Sequence, residues 1–284
     1  MENKKHPYYF ILYINFYWQF LRHLVYFYTR WFNLKKYCVI DFRMRKEEKE
    51  YIKSLGYELI ENGFNSLVYD EISSHVDIYF TKVGNRVVIA PEKRGKLPVN
   101  SIVGSTYIEN EYPGDVPYNV AIIGKRAIHN FEYTDKELKK YLETCEYKLI
   151  NVNQGYTNCS IAVIDDNSCI TTDLMIAKTL MDEKIDVIYV SEPEIKLLKR
   201  RTTLFSDPAK MTFDYSDMEG FIGGAMARLG DEVIIFGDIT KFVNSEKIRK
   251  FIESKGLKIK DFPGLEIVDY GGILEVIEDE WIIK

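Results

Sequence analysis

Cys159 is a candidate nucleophile in this 284-residue chain, because it stands at the start of a predicted β-hairpin, between Asn158 and Ser160. The thiolate is the reactive form of cysteine, and an enzyme produces it with the help of a neighbouring acid–base group. The alternative is a small buried thiol at the start of a strand, since free cysteine is among the most buried residue types. Both interpretations stay open at this point.

His75 and His129 are candidate acid–base groups, and both fall at the ends of predicted hairpins. Asp77 follows His75 by two residues, so on a strand the two side chains would share one face, and the carboxylate could orient the imidazole for proton transfer. Asp77 could equally bind a cation. A turn histidine that is hydrogen-bonded to the backbone is the alternative for both positions.

Polar and glycine residues at hairpin corners are candidates for binding a small ligand. Neutral hydrogen-bonding side chains are dense in 151–160, the glycines of 220–224 would allow a close approach of backbone, and corner aspartates would favour a guanidinium or amine. Loop caps, tight corners and helix N-caps are the structural alternatives. The predicted ligand-binding residues are Asp77, Asn130, Asn151, Gln154, Tyr156, Asp173, Gly223, Gly224 and Asp269.

The sequence predicts no metal site and no cofactor. Its four cysteines show no CxxC pairing and no histidine at ligand spacing, and Cys38, Cys145 and Cys169 fall within strand or helix patterns typical of a core. The GxxxxGK[ST], GxSxG, HExxH and GxGxxG signatures are missing. With 38 basic and 43 acidic residues the net charge is −5, which argues against a nucleic-acid partner.

Residues 1–36 differ from the rest and are predicted to be an N-terminal extension to a domain over 37–284. They contain one acidic and six basic side chains, and 13 of the 40 aromatic residues lie between Tyr8 and Phe32. Polar residues interrupt every apolar run before the ~20 residues that a membrane span needs. The segment 8–33 is either an amphipathic helix that contacts a membrane surface or the product of a start codon assigned too far upstream. No secretory cleavage site follows, so the expected location is the cytoplasm.

The domain consists of repeated elements that must position these residues. Helix patterns run directly into apolar strands at 46–60, 134–152, 173–190 and 245–260, with N-caps predicted at Thr134, Thr172 and Ser245. Five hairpins begin at the corners 74–75, 118–119, 158–159, 223–224 and 271–272. Residues 91–118 lack the helical pattern, and 197–213 is typical of a basic surface insertion. The sequence therefore predicts an α/β fold of five ββαβ units, in which the strand and helix of 37–60 complete the C-terminal hairpin.

A ring of five ββαβ units resembles the guanidino-group-modifying-enzyme fold, also called the pentein or five-bladed α/β-propeller, with pseudo-fivefold symmetry. The domain is also similar to one uncharacterised family assigned to that fold. Seven segments carry this resemblance: KYCVIDFR (36–43), SHVDI (74–78), HNFEYTD (129–135), INVNQGYTNCS (150–160), ITTD (170–173), GFIGG (220–224) and VDYGGI (268–273).

The resemblance implies a central channel in which a cysteine of the last blade attacks a guanidinium carbon, a histidine shuttles protons and carboxylates bind the cation. The expected position of that cysteine holds Gly272-Ile273-Leu274-Glu275 instead. Cys159 occupies the symmetry-equivalent position of the third hairpin. We therefore expect a protein that binds a small polar, guanidino or amino-acid-like ligand. If it is an enzyme, it hydrolyses C–N bonds and Cys159 replaces the usual nucleophile. The alternative is a non-catalytic interaction protein on the same fold.

Overall fold

The structure is a computed structural model that describes residues 35–191, 194–201 and 211–277. The predicted extension 1–36 lies outside the described residues except for its last two positions, as do residues 202–210 of the predicted insertion. Within the described ranges, no helix is long and apolar enough to cross a membrane. The boundary predicted at 36–37 falls at the start of the first strand, which begins at Lys36.

Five three-stranded sheets make up most of the described structure. In each sheet two strands pair antiparallel, and a third lies parallel to the middle strand. The strands of these sheets, in spatial order, are β17 (Leu274–Ile277), β1 (Lys36–Asp41) and β2 (Glu58–Asn62); β3 (Phe80–Val83), β4 (Arg86–Ile89) and β5 (Ser101–Val103); β6 (Ala121–Ile123), β7 (Arg126–His129) and β8 (Lys148–Asn151); β9 (Ile161–Asp165), β10 (Ser168–Thr171) and β11 (Asp186–Tyr189); β14 (Met226–Leu229), β15 (Glu232–Ile235) and β16 (Lys258–Lys260).

Four helices lead into the parallel third strands, as predicted. They are α1 (Lys46–Ser54), α3 (Lys136–Thr144), α5 (Leu174–Asp182) and α6 (Ser245–Ser254), and two further helices, α2 (Val76–Tyr79) and α4 (Thr157–Ser160), are single turns. The link from β4 to β5 holds only a 3-10 turn at Pro91–Lys93, which confirms the missing helical pattern of that unit. Two other 3-10 turns lie at Asp70–Ile72 and Ile239–Lys241.

The predicted N-caps are each wrong by one residue. Asp135 caps α3 by accepting hydrogen bonds from the N–H groups of Glu137 and Leu138, and Asp173 caps α5 in the same way. A carboxylate at the positive end of a helix is a better acceptor than the neighbouring threonine hydroxyl. Asn244 precedes α6, but its side chain bonds Ser191 instead of the helix.

The ends of the described chain share one sheet, because β17 pairs antiparallel with β1. The sequence predicted a C-terminal hairpin over 271–284 completed by 37–60. The first strand of that hairpin is confirmed as β17. The antiparallel partner of β17 in the described chain is β1, and the predicted second strand of the hairpin falls largely in 278–284, outside the described residues. The middle strand of every sheet is deeply buried, as the fully buried side chains of Val39, Ile89, Ile128, Ile170 and Ile234 show. Strands covered on both faces read as continuous apolar runs, which is why they were visible in the sequence.

Hydrogen bonds join the corners of the five sheets in a closed circle. Each bond links the turn before the first strand of one sheet to the equivalent turn of the next sheet. The five bonds run from Asp77 N to Gly271 O (3.2 Å), from Asn119 Nδ2 to Asp77 O (3.3 Å), from Asn158 N to Asn119 O (3.1 Å), from Gly223 N to Cys159 O (2.6 Å) and from Gly272 N to Gly224 O (3.1 Å). Residues far apart in the chain therefore meet at one centre.

The predicted insertion forms part of a sixth, two-stranded antiparallel sheet of β12 (Lys196–Arg200) and β13 (Phe213–Glu219). It is not wholly a surface feature, since Leu197 and Leu198 are buried. Arg43 donates from Nη1 to the Leu198 carbonyl at 2.8 Å, and Arg200 forms an ion pair with Asp70. These contacts attach the sheet to the body near the first corner.

Candidate functional site

His75 and Asp77 lie on a single helical turn and not on a strand, which corrects the sequence prediction. His75 is the N-cap of α2, and Asp77 belongs to its first turn. Phe80 N–H closes the turn on the Val76 carbonyl, and the bonds from His75 N–H to the Ile72 carbonyl and from Asp77 N–H to the Gly271 carbonyl hold it in place. Both side chains still face the same corner, where a Cβ atom on Gly271 would lie 2.5 Å from His75 Cβ and 2.6 Å from Asp77 Oδ1.

Cys159 contacts Asp77 directly, so the structure brings these two predicted residues together. The thiol donates to Asp77 Oδ2 at 2.8 Å, and Asn119 Nδ2 lies 3.1 Å from the sulfur. Asn119 also accepts the N–H groups of Asn158 and Cys159 at its side-chain oxygen, at 2.7 and 3.2 Å. Cys159 sits on the one-turn helix α4 and is 1% exposed. The amide of Asn119 therefore fixes the turn that carries the thiol.

His75, Asp77, Asn119, Cys159 and Asp269 together form a group that we call the corner cluster. Asp269 supplies its second carboxylate. Its two oxygens accept the N–H groups of Gly271 and Phe221, both at 2.8 Å, and its Oδ1 lies 3.7 Å from His75 Nδ1. Neither ring nitrogen of His75 has a hydrogen-bond partner among the described residues, and the same holds for Asp77 Oδ1. Buried polar atoms are rarely unpaired in native proteins, so these three atoms are those that a ligand or water would satisfy.

Glycines allow the cluster to be this compact. A Cβ atom on Gly224 would lie 1.8 Å from Asp269 Oδ1, and one on Gly223 would lie 2.2 Å from the Asn158 carbonyl oxygen. These contacts are those of a tight corner, the structural alternative for Gly223 and Gly224, while their predicted approach to a ligand stays a prediction. Gly271 has a φ of +67°, a region that side chains disfavour.

Burial sets the protonation states of the cluster. Burial raises the pKa of Asp77 to about 6, and it also raises the pKa of Asp269, which the nearby His75 partly offsets. Burial lowers the pKa of His75, so the imidazole is neutral near pH 7. Burial and the charges of Asp77 and Asp269 raise the pKa of Cys159 well above its usual value. Near pH 7 the cluster therefore contains an ionised Asp77, a neutral imidazole and a protonated thiol.

Asp41 and Arg43 form a buried ion pair beside the cluster, and sequence reasoning assigned them no role. Arg43 donates to both Asp41 oxygens, and its remaining donors bind backbone carbonyls, among them Asp70 and Glu71. Ser74 Oγ donates to Asp41 Oδ1 at 2.8 Å. Burial alone would raise the pKa of Asp41, but the Arg43 guanidinium lowers it overall. This arginine is already paired with Asp41, and it forms no ion pair within 4.0 Å with Asp77 or Asp269.

A cavity of about 390 Å³ reaches the cluster from the side of the hairpin turns. Asp77, Asn158, Gly223 and Gly271 line its inner end, and first strands of all five sheets contribute to its walls. Lys82, Asp165, Asp166, Arg228 and Glu275 lie among its charged lining residues. The volume suits a small molecule. Of the clustered side chains Asp77 lines this cavity, whereas His75, Cys159 and Asp269 lie behind its lining residues.

The other predicted site residues make structural contacts away from Cys159. His129 uses both ring nitrogens, Nδ1 with Thr134 Oγ1 (2.6 Å) and Nε2 with the Gly155 carbonyl (2.8 Å), and burial lowers its pKa to about 4. Asn130, Asn151 and Gln154 accept backbone N–H groups of nearby loops.

Tyr156 and Asp173 also have assigned partners. The Tyr156 hydroxyl donates to Asp115 Oδ2 at 2.5 Å, its ring stacks on Phe221, and Asp173 is the N-cap of α5. Tyr156 also connects to the cluster as the N-cap of α4, the turn that carries Cys159. In the described part of the chain, no group of three or more His, Cys, Asp or Glu side chains is arranged to hold a metal ion.

Residues 39–205 and 207–274 match the sequence pattern of a family of unknown function, DUF6873. The chain belongs to this family. No curated protein sequence matches the chain. The match includes every residue of the cluster, from His75 to Asp269, so the cluster lies within the part of the chain that defines membership.

Among solved structures, the chain is similar to dimethylarginine dimethylaminohydrolase from Pseudomonas aeruginosa with citrulline bound, at 10% identity, with 86% of this chain and 99% of that chain covered and a TM-score of 0.49. A dimethylarginine dimethylaminohydrolase adduct with S-methyl-L-thiocitrulline matches at 9% identity, 80% and 92% coverage and a TM-score of 0.47. Agmatine deiminase from C. jejuni matches at 10% identity, with 77% of this chain and 74% of that chain covered and a TM-score of 0.42. Because identity is this low, the chemistry of this chain has to be argued from its own side chains.

Proposed function

We propose that the chain is a pentein, a five-bladed α/β-propeller, whose central cavity binds a small cationic ligand of the guanidino type and whose Cys159 hydrolyses a C–N bond of that ligand. The repeated sheet order and the closed circle of corner hydrogen bonds support the fold assignment. The contact between Cys159 Sγ and Asp77 Oδ2, 2.8 Å long and beside an unpartnered His75, is the observation that carries the functional proposal.

The cation preference follows from uncompensated charge. Asp77 and Asp269 are both buried, and no lysine or arginine of the described chain forms an ion pair with either within 4.0 Å. Burying a carboxylate costs free energy unless a cation or hydrogen-bond donors replace the lost water. A guanidinium supplies both, because it carries a delocalised positive charge and several N–H donors in one plane. Asp77 Oδ1 is the free acceptor that such a ligand would meet.

Ligand binding would also activate the thiol. A cation beside Cys159 lowers the cost of the thiolate, so the proton can pass to a neighbouring base such as Asp77 or His75. The thiolate would then attack the guanidinium carbon and form a C–S bond. The C–N bond breaks as the leaving amine takes up the proton that the base received from the thiol. Water then adds to the same carbon and gives a proton to the base, the C–S bond breaks to leave a ureido product, and the base returns that proton to the thiolate. The neutral His75 is in the protonation state that accepts a proton from that water.

Selective alkylation tests this proposal. We expect the cationic reagent 2-chloroacetamidine to modify Cys159 at least about tenfold faster than the neutral 2-chloroacetamide, a difference that corresponds to about 1.4 kcal/mol of favourable charge interaction. Peptide mass spectrometry after timed quenching gives the rate at each cysteine. Cys145 is half-buried and outside the cluster, so it serves as an internal control at which the rate ratio should be that of the free reagents.

Equal rates of the two reagents at Cys159, relative to Cys145, would contradict the proposal. That result would favour the alternative of a non-catalytic interaction protein on this fold. Cys159→Ser should leave the cavity intact and remove the fast-reacting thiol, which confirms the assignment of the labelled peptide.

A further inference from the structure

The 3-10 turn Asp70–Ile72 leads directly into the corner cluster. His75 N–H bonds the Ile72 carbonyl at 3.0 Å, and His75 is the N-cap of α2, the turn that carries the first carboxylate of the cluster. Ser73, which lies between the 3-10 turn and α2, is buried and bonds the Asp70 carbonyl through its N–H (3.4 Å) and its hydroxyl (3.0 Å). The position of the 3-10 turn therefore determines the position of α2.

The same segment also contacts the turn that carries Cys159. Tyr69 is the N-cap of the 3-10 turn, and its hydroxyl lies 2.9 Å from that of Tyr156. Tyr156 is the N-cap of α4, and its carbonyl accepts the N–H and the hydroxyl of Ser160 at 3.0 and 2.7 Å. One segment thus touches both turns whose packing produces the 2.8 Å contact between Cys159 Sγ and Asp77 Oδ2.

Arg200, the last residue of β12, holds this segment from outside. Its Nε donates to both oxygens of Asp70, at 3.1 and 2.9 Å, and its Nη2 donates to Oδ1 at 2.8 Å. Its Cζ also lies 4.0 Å from the ring centroid of Phe64. Because a guanidinium is planar, contacts from two of its nitrogens fix the orientation of the carboxylate as well as its distance.

Two further contacts join the two-stranded sheet β12–β13 to the 3-10 turn. Ser216 Oγ of β13 donates to Glu71 Oε1 at 2.7 Å. Arg43 connects the carbonyl of Leu198 to the carbonyls of Asp70 and Glu71. The strands β12 and β13 stand outside the five three-stranded sheets, so these contacts attach an added sheet to the corner cluster.

We propose that Arg200 is a positioning residue of the candidate site, which acts through Asp70 to hold the turns of Asp77 and Cys159 against each other. Its effect on the cation-dependent reactivity of Cys159 rests on the function proposed above, whereas its hold on the two turns does not. Exposed ion pairs usually contribute little, but a contact through two donor nitrogens within a network is the exception, and these two side chains are only 23% and 27% exposed. The added sheet thereby becomes part of the site without lining its cavity.

Hydrogen exchange and alkylation of Arg200→Gln test the proposal. Backbone amides of 73–79 should exchange at least about threefold faster in this variant, whereas those of 161–171 should not change. The ratio of 2-chloroacetamidine to 2-chloroacetamide labelling at Cys159, relative to Cys145, should also fall by at least about threefold, as expected for residues coupled in one network. Arg200→Lys keeps the charge with a single donor nitrogen, so it should restore part of both losses.

Arg201→Gln is the matched control. Arg201 also donates from Nε and Nη2 to one carboxylate, that of Asp214, at 2.7–3.0 Å, but this pair joins the ends of β12 and β13 to each other. We expect this control to change neither the exchange in 73–79 nor the labelling ratio. Arg200→Gln combined with Asp70→Asn should lose no more than Arg200→Gln alone, because both substitutions remove the same pair.

Unchanged exchange in 73–79 of Arg200→Gln would overturn the proposal. An equal effect of Arg201→Gln, or fully additive effects of Arg200→Gln and Asp70→Asn, would overturn it as well. In a chain that shows the cation preference, faster exchange with an unchanged labelling ratio would also overturn it, because Arg200 would then have a structural role alone. If Arg200→Gln fails to fold, Arg200→Lys and Arg201→Lys provide the same comparison.

Failure of the proposed function gives a different result. A labelling ratio at Cys159 of the unaltered chain no higher than that at Cys145 would contradict the cation site. The exchange rates of 73–79 in Arg200→Gln and Arg201→Gln do not depend on that ratio, so they would still decide whether Arg200 holds the two turns.

Discussion

Replacement of Gly271 by alanine is expected to lower the free energy of unfolding by more than about 3 kcal/mol, the range of severe core substitutions. Two effects add at this position. The backbone has a φ of +67°, and a Cβ atom would lie 2.5 Å from His75 Cβ and 2.6 Å from Asp77 Oδ1. Neither neighbour can move freely, because His75 and Asp77 are buried on one short turn. Urea unfolding followed by circular dichroism measures the loss.

Gly230→Ala is the matched control. Gly230 has nearly the same backbone conformation, with a φ of +65°, but nothing lies within 4 Å of the position of a Cβ atom. Only the conformational cost applies there, and we expect a loss of about 1–2 kcal/mol. A loss at Gly271 no larger than that at Gly230 would show that the corner is not closely packed against the cluster.

Asp77→Asn is expected to have a more favourable effect on the free energy of unfolding at neutral pH than at acidic pH, compared with the natural protein. The pKa of Asp77 is raised to about 6 in the folded state, so the folded protein binds the proton more tightly than the unfolded chain. Stability of the natural protein therefore falls as the pH rises from the unfolded pKa of about 4 through about 6. Asparagine does not titrate. The free energy of unfolding of the variant minus that of the natural protein should increase by roughly 2 kcal/mol between about pH 4.5 and 7.5.

Asp135→Asn provides a control of opposite sign. Burial tends to raise the pKa of Asp135, but hydrogen bonds from Leu138 N–H and from Ser105 lower it overall, so this carboxylate stabilises the fold above the unfolded pKa. We expect Asp135→Asn to destabilise the protein by the same amount at about pH 4.5 and at about pH 7.5, with the loss shrinking only at lower pH. If the effect of Asp77→Asn on the free energy of unfolding were also the same at about pH 4.5 and 7.5, the pKa of Asp77 would not be raised in the folded protein.

The repeated architecture could be predicted from the sequence because its signals are local. Helix periodicity, the apolar runs of strands such as β10 and the glycine of the turn at Gly84 each depend on a few neighbouring residues. Helix starts were wrong by one residue, since Thr134 and Asp135 are both good caps and only the geometry of the turn decides between them.

The composition of the cluster could be predicted only in part. Cys159, His75, Asp77 and Asp269 were predicted because each lies at a hairpin corner, and five-fold repetition makes those corners equivalent. Asn119 stands at such a corner too, so the same signal could have identified it. The hydrogen bond between Asp77 and Cys159 joins residues 82 positions apart in the chain, and its existence depends on how two turns pack.

Sequence reasoning did not show which polar residues are buried and paired. Arg43 and Asp41 lie two residues apart on and after β1, a spacing with many harmless explanations, and only burial makes the pair significant. His129 was proposed by the same rule as His75, yet its ring nitrogens bind Thr134 and Gly155. A sequence does not tell a histidine whose partners are supplied by its own loop from one whose partners are missing.

The ratio of amidine to amide labelling at Cys159, measured as a function of pH, tests the central claim most directly. If Asp77 recognises the cation, the ratio should rise by about tenfold as Asp77 ionises through its pKa of about 6, and Asp77→Asn should hold it near the value for Cys145 at every pH. A ratio that does not change with pH, or that is unchanged in Asp77→Asn, would contradict a cation site at the corner cluster.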